Sequence, residues 1–393
     1  MLRVAAAVVV LATLSACRPS TTAPPPGESI RREFTEHLVS GFVEPRLQAL
    51  VDRATALVDA TTALDRSGGT DAAARTAARD ALVALQETWQ QLEILQLGPA
   101  GAPTTFTGGA GLRDGIHSWP QTSPCGADQQ IVQNRFADAG FIAGRLPNVL
   151  GLHTLEYLLF RDDDNNACPE SASINADGRW AAISADDIRA RRATYAWLVA
   201  DDVRSKAITL QAAWRDGYAN ALQTAGTAGS SFATAQQALD EVYAALFVVE
   251  LVVKDRKLAV PAGLRVDCEG VACHALTESP YAHLSHQHVA NNLRGAALVF
   301  TGTNDEGVDG VGFDDLLREG GHDDVANDMV AAVNAAVAAA EGFSGTFEDV
   351  LPVEPARVVA VHDTVKVFTD GLKTELPSLL GLRVPDEGAG DND

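Results

Sequence analysis

Apolar residues recur at three- and four-residue spacing along most of the chain, and no segment sustains a period of two over β-branched residues. The pattern predicts helices over residues 29–64, with a kink at Pro45, and over 71–97, stopped by Gly98-Pro99. Residues 101–126 read as a loop-rich insert. Two helices are expected over 128–146 and 149–160, parted near Pro147, followed by a polar loop over 161–178. Ser184 opens a Ser-Ala-Asp-Asp run resembling a capping box, so a long helix should start there and run toward Ala225. Over 232–258, Leu239, Val242, Tyr243, Leu246, Phe247 and Glu250 fall at helical spacing. Asp240 and Glu241 lie early in that helix and Lys254, Arg256 and Lys257 late, as the macrodipole favours. Further helices are predicted over 280–300, 323–341 and 355–372. Helices of this length with short connections specify an all-α fold of two packed antiparallel bundles, 30–178 and 179–384.

The ends read differently. Residues 1–16 carry Arg3 and an apolar run from Val4 to Leu14, too short to cross a bilayer and fit for a secretory leader. Leu14-Ser15-Ala16-Cys17 resembles a bacterial lipobox, which would make Cys17 the lipidated first residue; the plainer alternative is an ordinary signal with a chance cysteine. Residues 17–29, rich in Pro and Thr, form an extended spacer. The acidic stretch 385–393 reads as a disordered tail. The expected location is the bacterial cell envelope, lipid-anchored, facing the periplasm, with the outer membrane as the expected site.

The formal charge of −22, one unit more negative once Arg3 leaves with the leader, argues against nucleic acid or anionic lipid headgroups as partners. Besides Cys17 there are four cysteines, which fits an oxidising compartment. Four cysteines allow three pairings, and sequence alone does not choose. The pairing favoured is Cys125–Cys168, tying the loops that flank the 149–160 helix, with Cys268–Cys273 closing a short loop.

Chemistry enters with Gly151-Leu-His-Thr-Leu-Glu-Tyr-Leu-Leu-Phe160, where His153 and Glu156 interrupt an apolar helix. At spacing i, i+3 both side chains leave one face. Such a pair can bind a transition metal, or simply hydrogen-bond within a bundle interior. Two ligands hold a metal weakly, so donors from other helices are needed; His37, Glu33, His117 and Glu278 are candidates. His37 follows Glu33 and Glu36 and could complete an interior site, or lie on a solvated face. In Tyr281-Ala-His-Leu-Ser-His-Gln-His288, His283 and His286 share a face and His288 points elsewhere; an exposed polar face competes with a metal cluster. Cys268-Glu-Gly-Val-Ala-Cys273-His274 has four residues between its cysteines, two more than haem attachment uses, and reads as a disulfide. Residues 305–315 lack the final Glu of an EF-hand and read as a solvated acidic loop.

GLHTLEYLLF is similar to the GxHxxE segment of the imelysin family, also called the M75 peptidases. Trp89 through Gly98-Pro99, Ile116-His117-Ser118-Trp119-Pro120, Lys257-Leu-Ala-Val-Pro-Ala-Gly263, Glu278-Ser279-Pro-Tyr through Ser285, and Asn292-Leu-Arg-Gly295 resemble further family segments, in family order, over about 34–380. The resemblance implies two four-helix-like bundles in an exported, often lipid-anchored protein of a group associated with bacterial iron uptake. It implies a metal role for His153 and Glu156, and Glu278 matches its second motif; His37, from its helix position, is the further candidate to complete the site. Trp119, Ser279, Ser285 and His288 would line the pocket. His288 stands where relatives tend to have Asp, which adds a nitrogen donor. The implied cofactor is a divalent metal ion, iron first and zinc second, with haem as a further option. The implied partners are the membrane, through the anchor, and a metal- or haem-uptake transporter. A metallopeptidase is the first alternative, but HTLE has one His, and its Glu does not lie between two His as in HExxH. A scaffold with a structural HxxE is the second.

Overall fold

The computed structural model describes residues 27–103, 109–268 and 272–385. The leader, Cys17, most of the spacer and all but the first residue of the acidic tail lie outside the described residues.

Helix α1 (Glu28–His37) continues through a π-helical turn, Leu38–Val43, into α2 (Glu44–Arg66). The irregularity predicted at Pro45 therefore appears just before it, where the wider turn absorbs the missing amide. Helix α3 (Ala72–Glu93) starts at Asp71, whose carboxylate accepts from the Ala73 and Ala74 amides. Short helices α4 (Leu112–Ile116) and α5 (Pro124–Gln133) lead to α6 (Gly151–Phe160) and α7 (Ser173–Ala176). The helix expected over 128–146 ends early, because Asn134 turns left-handed at φ 49° and caps α5; single 3-10 turns follow. Ser184 caps α8 (Ala185–Ala213), accepting from the Asp187 amide, and a π-turn joins α8 to α9 (Ala219–Gln223). Then come α10 (Ala235–Leu246), a long π-helical segment Val249–Ala259, and α11 (Ser285–Thr301). Helices α12 (Phe313–Glu319), α13 (Asp323–Glu341), α14 (Phe347–Val350), α15 (Ala356–Lys373) and α16 (Glu375–Leu380) complete the described chain, which contains no strand.

Helices α2, α3, α6 and α8 pack together, and the Val249–Ala259 segment packs with α11, α13 and α15. Helix α8 was expected in the second bundle, beyond Gly178; its contacts are with α2 and α6 of the first. Each bundle buries the apolar stripe that its helices present: Leu50, Leu57, Leu82, Leu85, Leu155 and Val199 in one, Val253, Leu293, Val333 and Phe368 in the other. The seam between them is α3 against α11. Gly295 makes this crossing close, since a Cβ there would stand 2.5 Å from the Gln91 carbonyl oxygen. The two disulfides are Cys125–Cys168 and Cys268–Cys273. Among the described residues no helix is long and apolar enough to cross a membrane.

Candidate metal centre at the bundle seam

The seam brings polar side chains from five places into one dry region. Helix α3 supplies Gln86, Gln90 and Glu93, at i, i+4 and i+7 on its inner face, all buried. The loop after α4 supplies His117, and α6 supplies His153 and Glu156. The π-helical segment supplies Lys257. The loop before α11, with α11 itself, supplies Glu278, Ser279, His288 and Asn292. All of these are buried.

Gly151 explains how α6 and the His117 loop come together. Its φ is 78°, a left-handed conformation that glycine adopts freely, and a Cβ there would lie 2.8 Å from the Ile116 carbonyl oxygen and 3.2 Å from the Ser118 amide. The glycine lets the start of α6 lie against the backbone that carries His117.

Glu278 is the hub. Its Oε1 accepts from His117 Nε2 at 2.8 Å and from Gln90 Nε2 at 2.9 Å. Its Oε2 lies 2.9 Å from Lys257 Nζ and 3.2 Å from His288 Nδ1. Lys257 also donates to Glu93 Oε2 and Gln90 Oε1, both at 2.7 Å, and to Asn292 Oδ1 at 2.8 Å. Arg113 reaches the other Glu93 oxygen at 2.9 Å. Two buried carboxylates thus face two cations. Burial alone would raise Glu93, but Lys257 above all, then His117 and Arg113, bring it down to about 2. Glu278 is likewise held well below the usual carboxylate range: burial works against this, and Lys257, His288 and His117 outweigh it.

The imidazoles behave oppositely. Burial, reinforced by His117, lowers His153 to about 3, so the ring is neutral at ordinary pH. Burial also lowers His117, although Glu278 and Glu93 resist. Neither ring nitrogen of His153 makes a hydrogen bond of normal geometry, although the Glu278 backbone lies near. His117 Nδ1 and His288 Nε2 also lack partners. Buried nitrogens of this kind call for a reason, because most buried polar atoms are satisfied.

His153 and Glu156 turn to different tasks. His153 faces a pocket of about 540 Å³ lined by Trp119, Thr122, Arg256, Thr277 and Tyr281, among others. Glu156 accepts from Ser279 Oγ at 2.8 Å and from the Tyr281 and Ala282 amides at 3.1 and 3.2 Å. It clasps to α6 the loop that carries Glu278. Burial raises its pKa, with His288 and the Ser279 bond opposing. Ser285 extends the clasp, accepting from the Ser279 amide at 2.8 Å and donating to Glu348.

His37 does not join this region. Its Nε2 bonds the Gly302 carbonyl, and its ring fills space beside Gly310, where a Cβ would stand 2.0 Å from the imidazole. His283 lies before α11 with φ 58°, its Nδ1 3.6 Å from Asp349 Oδ1. His286 packs on Phe343 and Phe347. Only His288 of that trio turns inward to Glu278.

Sequence reasoning passed over Glu93 and Lys257. The polar stripe Gln86, Gln90, Glu93 on an apolar face was a usable signal for the first. Lys257 was read with Lys254 as a macrodipole-favoured end charge; both are fully buried ion-pair partners. Among the described residues, Glu93, His117 and Glu278 form the one group whose ligand atoms all lie within 4.8 Å of one another. His153 and His288 stand around it, outside that spacing.

Fold and site together define an all-helical, two-bundle protein with a buried carboxylate–imidazole cluster at its seam. The sequence pattern of the imelysin (M75 peptidase) family matches residues 43–363, and the chain belongs to that family. Among solved structures it is similar to a protein described as an iron-regulated protein A precursor from Parabacteroides distasonis ATCC 8503, with TM-score 0.71, 18% identity, and 92% of this chain and 97% of that one covered. It is also similar to an imelysin-like protein from Psychrobacter arcticum 273-4, with TM-score 0.64, 18% identity, and 91% and 98% covered. A search of curated proteins found no match.

Proposed function

We propose that the protein binds iron, or secondarily another metal such as zinc, at the seam, and serves metal acquisition from a lipid-anchored position in the cell envelope. The observation that supports this best is His153: a neutral, buried imidazole with neither nitrogen in a hydrogen bond of normal geometry, open to a pocket, beside the His117–Glu278 pair. Neutral imidazole with one carboxylate suits iron and zinc. His117 and Glu278, whose ligand atoms lie within 4.8 Å of each other, are the residues that would hold the ion, and His153 and His288, farther out, supply further nitrogens as the site closes on it. Glu278 also fixes the rings: bonded to Nε2 of His117 and facing Nδ1 of His288, it leaves the opposite nitrogens as donors. Glu93 carries Lys257 and Arg113 on its oxygens, and Glu278 carries Lys257 and Gln90 on its own, so an ion held at either carboxylate would displace one of these contacts. Glu156 acts through the loop that it clasps.

Peptide hydrolysis finds less support. A general base must face the substrate, and both Glu156 oxygens are turned to Ser279 and two backbone amides.

The test is metal analysis and titration of the purified full chain against His153→Ala and His117→Ala. About one iron or zinc per chain is expected, with each variant losing affinity by more than the roughly 100-fold typical of supporting residues. Equal metal content in wild type and both variants would defeat the proposal. Chelator-sensitive cleavage of unfolded protein would favour the peptidase.

A further inference from the structure

The pocket over His153 has a chemical character that the seam below does not share. Its lining includes no Asp or Glu. Its one charged side chain is Arg256, which is exposed and takes part in no ion pair or hydrogen bond among the described residues. The nearest acid in sequence, Asp255, is taken: Lys254 Nζ lies 3.0 Å away and Arg265 2.6 Å. Thr122 and Thr277 offer hydroxyls, and Trp119 and Tyr281 offer flat apolar walls.

On a chain of formal charge −22 this composition points in one direction. A passage for bare cations gains from carboxylates on its walls, which concentrate the ion and replace its water. Here the walls are neutral apart from an unpaired guanidinium, whose planar fork matches a carboxylate. The volume, about 540 Å³, falls within the range of sites for small organic ligands and far exceeds the room that a lone ion needs.

We propose that the pocket receives the metal as a chelate with a small, carboxylate-bearing organic anion. Arg256 grips a carboxylate of the chelator while the metal meets His153. This rests on the metal-binding role assigned to His153 above and adds the chemical form in which the metal arrives. No covalent bond in the chelator is made or broken. The metal exchanges a chelator or water oxygen for a nitrogen of His153, whose ring faces the pocket with neither nitrogen in a hydrogen bond of normal geometry.

The experiment is calorimetric titration of the full chain with three probes: Zn²⁺ alone, ferric citrate and haemin. Wild type, Arg256→Ala, Arg256→Lys and His153→Ala are compared. Arg256→Ala should weaken ferric citrate about tenfold and leave Zn²⁺ within about twofold, and Arg256→Lys should recover part of the loss. Because Arg256 is exposed, the alanine variant should melt with wild type, which separates binding from folding. Equal affinity of wild type and Arg256→Ala for ferric citrate overturns the proposal, as does an equal loss for ferric citrate and Zn²⁺. Haemin binding that depends on Arg256, with no ferric citrate binding, also overturns it, in favour of a porphyrin. His153→Ala reports separately: if Zn²⁺ binding survives that change, the metal-binding reading fails, whatever Arg256 does.

Discussion

Two buried charge networks sit on the same π-helical segment, Val249–Ala259, a turn apart. At Glu250, Lys254 lies 3.1 Å and Lys373 2.7 Å from the carboxylate, and Lys254 reaches on to Asp255. At Lys257, two glutamates from α3 and the α11 loop converge on one ammonium. Both networks match charge with charge inside a dry interior, which proteins tolerate because an unpaired buried ion costs far more. The difference lies in what else is present. Glu250, Lys254, Asp255 and Lys373 include no imidazole. The Lys257 network is ringed by His117, His153 and His288, several of whose nitrogens lack partners, and it adjoins a pocket. Buried ion pairs on their own therefore say little about function. Neutral nitrogens left over after the charges are matched say a good deal more.

The comparison breaks most visibly on removal of each lysine. Lys257→Met removes the ammonium that Glu93 and Glu278 share, leaving Arg113 on Glu93 and His117 and Gln90 on Glu278, and should cost about 3–5 kcal/mol in denaturant unfolding. Lys254→Met leaves Glu250 with Lys373, and should cost clearly less, about 1–3 kcal/mol. Equal losses would mean that the two networks are energetically alike.

Metal affinity should separate them further. Ser279→Ala removes a clasp on Glu156 without touching a donor, and should weaken metal binding about tenfold, as other supporting hydrogen bonds do. Glu250→Gln should leave metal affinity unchanged. A reversed order in a zinc titration would place the ion in the other network.

The last contrast is in pH dependence. His153 takes its proton near 6.5 when unfolded but only at about 3 when folded. Between these values the unfolded chain binds more protons, so stability falls as pH drops from about 6.5. The slope from this residue is about 1.4 kcal/mol per pH unit, and His117 adds in the same direction. Glu93 works at lower pH: its stabilisation is complete above its unfolded value of 4.5 and is lost progressively as pH falls from there through about 2. His153→Leu should flatten unfolding free energy between pH 6 and 4, roughly by that slope.

Much of this protein was legible in its sequence. The 3.6-residue apolar period determined the helices: the prediction over 323–341 coincides with α13, and Ser184 caps α8 as its side chain and following acids imply. The cysteine pairing agreed with loop proximity. Local patterns also marked His153 and Glu156 as intruders in an apolar helix, because periodicity is a property of neighbours along the chain. Sequence could not say that the two would part, one toward a pocket and one toward Ser279. That depends on where the α11 loop lies. Nor could it assign α8 to the first bundle, which its packing on α2 and α6 decided. His37 had the residue type and helix of a ligand, yet the Gly302–Gly310 loop claimed it. Glu93, His117, Lys257 and Glu278 are scattered along the chain from position 93 to position 278, and meet only where α3 crosses α11. Helix formation follows from the chain's own period, whereas the meeting of charges across a seam follows from close approach, which Gly151 and Gly295 permit and which no local pattern encodes.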